Sequence, residues 1–142
     1  MKKKFILWAV IGVIVLALLI QLIPLPGRGN NPTVVAEPNW DSSQTRTLAK
    51  RACFDCHSNE TVWPWYSYVA PVSWLVYSDT MQGRARLNFS EWNRPQRGSG
   101  DITEIIREGE MPPAIYLPLH PSARLTDAEK QQLITGLTNS LP

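Results

Sequence analysis

Cysteine and histidine are scarce in this chain: of 142 residues only Cys53 and Cys56 carry a thiol, and only His57 and His120 an imidazole. A structural zinc centre takes four protein ligands, and with no third cysteine only His120 remains to complete one. Basic charge is also thin. The net charge is +2, of which Lys2, Lys3 and Lys4 contribute three units, leaving the remainder at −1. That balance offers no clustered basic face for nucleic acid. No serine–histidine–acid set, phosphate loop or isolated carboxylate pair is present, so the sequence provides no catalytic constellation of its own and the expectation is a non-enzyme. Internal repeats and low-complexity tracts are absent as well.

What is present begins with an apolar run from Phe5 to Ile23, broken only by Gln21, with Lys2-Lys3-Lys4 before it and Pro24 and Pro26 after it. Its length matches the ~20 residues that cross a bilayer as a helix. The lysines place the N-terminus in the cytoplasm and the remainder outside. A cleaved signal peptide also starts basic and continues apolar, and Val34-Val35-Ala36 resembles a cleavage site. The run exceeds a usual signal core and Ala36 lies far beyond it, which favours a retained anchor. Twelve prolines and eight glycines predict short helices joined by long loops, with little sheet. The resulting expectation is all-α in three parts: 1–24 a cytoplasmic stub and single transmembrane helix, 25–38 a Pro/Gly/Asn-rich tether, and 39–142 one compact domain.

Both cysteines fall in Cys53-Phe54-Asp55-Cys56-His57, the attachment pattern of c-type haem. Two thiols at this spacing reach the two vinyl groups of one porphyrin, and the adjoining histidine brings its imidazole to the iron. A thiol-disulfide redox pair expects a thioredoxin-like αβ pattern, which is missing. A structural disulfide suits an exported protein but gives no reason for the histidine. Asp41 or Ser42 is placed to cap a helix running to about Cys53, with Leu48, Ala49 and Ala52 on one face and Lys50 and Arg51 at its negative end.

One histidine leaves a second axial position, for which Met81, Met111 and His120 compete. Asp101 and Glu104 resemble a capping box for a helix over Ile102–Glu108 that Gly109 ends. Met111 follows directly, before Pro112-Pro113, on a strap that proline keeps out of helical geometry. Met111 is therefore the expected sixth ligand and His120, in Leu119-His120-Pro121, the alternative. Met81 lies in a helical stretch over 71–87 and is read as packing. His/Met ligation raises reduction potential and suits electron transfer.

Together, the N-terminal anchor, the attachment motif, Trp63-Pro64-Trp65-Tyr66, Leu87-Asn88-Phe89-Ser90-Glu91-Trp92, Gly109-Glu110-Met111-Pro112-Pro113 and Leu119-His120-Pro121 resemble the bacterial haem-binding-domain family of cytochrome-c-like proteins. The resemblance covers roughly Asp41 to the C-terminus. It implies a cytochrome-c-like mono-haem domain with Cys53 and Cys56 as attachment sites and His57 as proximal ligand. The layout is also similar to that of small cytochromes c, whose last helix crosses the first. Here Thr126 and Glu129 form a capping box, and Leu133, Ile134 and Leu137 line one face. A ligating histidine needs an acceptor for its second nitrogen, and neither Pro64 nor Pro71 stands where small cytochromes c carry theirs.

Trp63, Trp65, Tyr66 and Trp74 suit either a pocket wall or the core. Arg84, Arg86, Arg94 and Arg97 suit haem propionates, though a solvated position is the commoner fate of each. Asn59-Glu60-Thr61 and Asn88-Phe89-Ser90 match a glycosylation pattern that is common by chance and is discounted. The functional expectation is a single-pass protein of the bacterial inner membrane with a periplasmic domain. That domain binds one covalent haem c with its iron and passes single electrons between protein partners. The alternatives are a haem-based sensor or small-ligand binder and a haem-free thiol-disulfide protein.

Overall fold

The computed structural model describes residues 2–141 and is helical, with no strand among the described residues. The chain forms two compact units, one of residues 1–30 and 63–79, the other of 31–62 and 80–142. The helices are α1 (Lys2–Leu19), α2 (Ser43–Ala52), α3 (Phe54–His57), α4 (Val72–Arg86), α5 (Ile102–Glu108) and α6 (Asp127–Ser140).

The first unit contains α1, a 3-10 turn over Ile20–Leu22, a second over Trp65–Tyr68, and the first half of α4. Lys2–Leu22 is 21 residues long and apolar enough to cross a membrane. Gln21, the one polar interruption of the apolar run, has a defined job. Its Nε2 donates to the carbonyls of Ala17 (2.8 Å) and Ala70 (3.2 Å), and its Oε1 accepts from the Ala70 N–H at 2.9 Å.

The second unit is built on α2, α5 and α6. The Ser42 hydroxyl caps α2 by accepting from the Thr45 N–H at 3.1 Å. Thr126 and Glu129 form the expected capping box at the start of α6. The apolar faces meet in one core: Leu48, Ala49, Leu133, Ile134, Leu137 and Ile106 with Phe54, Leu87 and Phe89. Each large side chain buried there is worth roughly 1.5–3 kcal/mol. The last helix packs against α2, and Gly136 permits the approach, because a Cβ there would enter the Thr45 side chain.

Several details differ from expectation. The 25–38 stretch is only partly a tether. The N–H groups of Val35 and Ala36 donate to the Ser90 carbonyl (2.8 and 3.1 Å), and Trp92 N–H donates back to Ala36 at 2.8 Å. The Glu37 carboxylate receives Arg46 at 2.6 and 2.7 Å and the Trp40 indole at 2.7 Å. Backbone pairing holds this segment, which leaves no hydrophobic period to read. Asp101 has helical dihedrals and makes no side-chain cap bond. Trp63, Trp65, Tyr66 and Trp74 lie outside the buried core; its aromatic members are Phe54 and Phe89, stacked at 5.6 Å between centroids, with Trp40 and Trp92 partly buried against them.

Arg51 ties α2 to α6 through its 2.5 Å bond to Glu129. That bond, followed by the Thr126 cap, holds the Glu129 carboxyl down to about 2. A lowered carboxylate contributes stability above its unfolded value, and that stability is lost as pH falls toward the folded value. Unfolding midpoints in urea should therefore fall between the ordinary glutamate range and pH ~2. Glu129→Gln should flatten this dependence; an unchanged slope would show that the pair contributes nothing.

Candidate functional site

The motif occupies one turn, α3, immediately after α2. Cys53 leaves helical geometry while its N–H still donates to the Ala49 carbonyl at 2.8 Å. The two residues between the cysteines are anchors. Phe54 enters the core. The Asp55 carboxylate accepts from the Val62 N–H at 2.9 Å and from the Tyr116 hydroxyl at 2.5 Å. Its backbone carbonyl takes the Thr61 hydroxyl at 2.8 Å.

His57 Nδ1 lies 3.2 Å from the Gly83 carbonyl and 3.1 Å from the Leu87 carbonyl. Both belong to the last turn of α4 and the residue just beyond it, where helix carbonyls lack intrahelical partners or share them. Carbonyl oxygens only accept, so Nδ1 carries the hydrogen and Nε2 keeps a lone pair. Burial, opposed by these two carbonyls and reinforced by the nearby Arg86 charge, lowers the His57 pKa. The neutral, ligating form is favoured. These carbonyls are the acceptors that no proline of the sequence identified.

Gly83 brings α4 against the motif; a Cβ at this position would enter the Cys56 carbonyl. Arg84 fastens the same helix. Its Nε donates to the Ser58 carbonyl at 2.8 Å, and its Nη2 reaches Asn31 and Thr61, each at 2.9 Å. Arg94 donates to the Arg84 carbonyl at 2.9 Å and pairs with Glu91 at 2.7 Å. Both guanidiniums therefore have structural work, while Arg97 is exposed.

Two neighbouring cavities lie beside the motif, of about 400 Å³ and about 80 Å³, and Cys53, Ile106 and Met111 line both. The larger is walled by Leu117, Leu125 and Leu133, with Arg124 and Lys130 also lining it. The smaller adds His57, Ile102, Ile105 and Arg86. Apolar walls with a few cations suit a flat apolar cofactor carrying carboxylates. Arg124 and Lys130 were not singled out in the sequence, where nothing marks an isolated cation as facing a cavity. Cys56 is half-buried and lines neither cavity.

Met111 owes its position to the end of α5. Gly109 has φ +80°, with its N–H donating to Ile106 at 3.2 Å and the Glu110 N–H to Ile105 at 3.1 Å. This is a Schellman turn, and its left-handed residue favours glycine. The chain reverses there and delivers Met111 to the cavities. His120 instead stacks on Tyr116, with centroids 3.8 Å apart, and lines neither cavity. Met81 and the aromatics Trp63, Trp65, Tyr66 and Trp74 also line neither. Among the described residues no group of three or more His, Cys, Asp or Glu side chains gathers to hold a metal.

A family model described as a haem-binding domain matches residues 15–139. No curated protein and no solved structure matches the chain.

Gly83→Ala tests the close approach of α4. Alanine is the better helix former by ~1 kcal/mol, so any loss of stability must come from the Cys56 carbonyl. We expect a loss of about 1–3 kcal/mol in chemical denaturation together with less haem bound per chain. A variant as stable as the parent would remove Gly83 from the site.

Proposed function

We propose, from the premise that the chain belongs to the haem-binding-domain family, that it is a membrane-tethered mono-haem c-type cytochrome. In this reading it carries single electrons on the outer, periplasmic side of the bacterial inner membrane. Cys53 and Cys56 would hold the porphyrin by thioether bonds, and His57, through Nε2, and Met111 would hold its iron. Haem in this setting provides reversible one-electron chemistry at iron. The observation that carries the reading is the His57 geometry. A single imidazole is fixed by two backbone carbonyls with Nε2 left as its lone-pair nitrogen, and it lines a cavity together with Cys53 and Met111.

The protein's part is to orient and enclose. Bonds from Nδ1 to carbonyls set the ring plane and raise the basicity of the opposite nitrogen. Ile102, Ile105, Ile106 and Leu133 line the cavities with apolar surface, which would disfavour added charge on a bound iron. Arg86, Arg124 and Lys130 are the cations available to the propionates.

Burial of the Cys53 sulfur, with the Cys56 charge second, pushes its thiol up to about 12. A protonated thiol is the opposite of the low-pKa thiolate that disulfide exchange uses, which weighs against the haem-free thiol reading. The sensor reading is favoured by one observation: Met111 is 40% exposed, so a small ligand has a route to displace it.

Absorption spectra of Met111→Ala and His120→Ala, made with cytochrome c maturation machinery, decide the ligand and the reading together. The sulfur-to-iron charge-transfer band should vanish only in Met111→Ala, and that variant alone should bind carbon monoxide readily when reduced. A band surviving in both variants would refute Met111. Rapid, complete carbon monoxide binding by the parent would replace the carrier with a ligand binder.

A further inference from the structure

Trp63 to Ser78 is unlike the rest of the chain. Its 16 residues carry no charged side chain and contain three of the six tryptophans and three of the four tyrosines. The haem reading uses none of them, and none belongs to the buried core. Much of the stretch is open: Trp65 is 76% exposed, and Tyr68, Val69, Val72 and Leu75 are each more than two-fifths exposed. Leaving such a surface in water is unfavourable, so its concentration in one segment points to an occupant.

The same compact unit identifies that occupant. The segment is fastened to the end of the apolar helix: Gln21, at the far end of Lys2–Leu22, pairs with both backbone groups of Ala70. The Arg28 guanidinium lies 5.9 Å from the centre of the Tyr68 ring. An aromatic, uncharged surface fixed at the point where a hydrophobic helix ends is at headgroup depth if that helix spans a bilayer. Tryptophan and tyrosine concentrate there because the ring is apolar and its N–H or O–H still reaches water.

We propose that Trp63–Ser78 is a second membrane-contact surface, in which Trp65, Tyr68, Val69, Val72 and Leu75 lie in the headgroup layer of the bilayer that α1 enters. This rests on the anchor reading. A soluble redox partner is a poorer match, because the segment has no charge with which to steer or select one. The chain passes between the two units at 30–31, 62–63 and 79–80, so the haem-binding unit is joined to this membrane-bound unit by three connections.

The test uses the haem-loaded full chain in phosphatidylcholine–phosphatidylglycerol vesicles containing a phospholipid with a diazirine near the top of one acyl chain. After irradiation, lipid adducts are mapped by peptide mass spectrometry. Adducts are expected both in α1 and between Trp65 and Leu75. The double variant Trp65→Glu, Leu75→Glu should keep its haem and its α1 adducts while losing most of those at Tyr68–Val72. Adducts confined to α1 would overturn the proposal and leave the anchor intact; adducts in neither segment would overturn both. Adducts at 65–75 that fade as the protein-to-lipid ratio rises would assign the surface to a second copy of the chain, against the proposal.

Discussion

An imidazole binds a metal only through a nitrogen that carries no hydrogen, and His57 keeps one such nitrogen because the carbonyls of Gly83 and Leu87 hold the hydrogen on the other. Much of the second unit serves that arrangement. α4 must end where it does so that its last carbonyls are available. Residue 83 must be glycine so that α4 reaches the Cys56 backbone. Arg84 fixes the spacing through the Ser58 carbonyl, Arg94 holds the Arg84 carbonyl, and the Phe89 N–H donates to the His57 carbonyl at 2.8 Å. Burying the Arg84 guanidinium lowers its pKa against the opposing charge of Glu91. Its bonds to Ser58, Asn31 and Thr61 help make that burial tolerable.

Segments governed by local rules were legible in the sequence. The helix over Ile102–Glu108 and its stop at Gly109, the capping box of α6, the apolar face of Leu133, Ile134 and Leu137, and the helix after Ser42 all follow from caps and periodicity. The haem motif was legible for the same reason, since its chemistry is confined to five consecutive residues. The His57 acceptors were not, because they are backbone atoms 26 and 30 residues away and any side chain leaves the same carbonyl. Gly83 and Gly136 act by close approach between helices, which composition does not reveal. Asp101 had a capping sequence around it, yet its backbone enters the helix too early for the side chain to fold back. The tryptophans misled most: Trp40 and Trp92 pack against the core, while the conspicuous Trp63-Pro64-Trp65-Tyr66 word belongs to the unit that contains the apolar helix.

The two units divide the work by chemistry. One is apolar and aromatic, with a helix able to cross a bilayer and an uncharged surface beside its end. The other gathers a neutral histidine, a half-buried thiol and a methionine around apolar cavities lined by a few cations. Family membership supplies haem binding. The proposal of a covalent, six-coordinate haem rests on Cys53, His57 and Met111 lining one cavity.

The most direct measurement is the mass of the denatured chain, made in cells that carry cytochrome c maturation machinery and then extracted with acidified organic solvent. Covalent attachment through Cys53 and Cys56 predicts a chain heavier by one haem, with its visible absorbance retained and both thiols unavailable to alkylation. A chain of unmodified mass, with colourless protein and two alkylated cysteines, would contradict it.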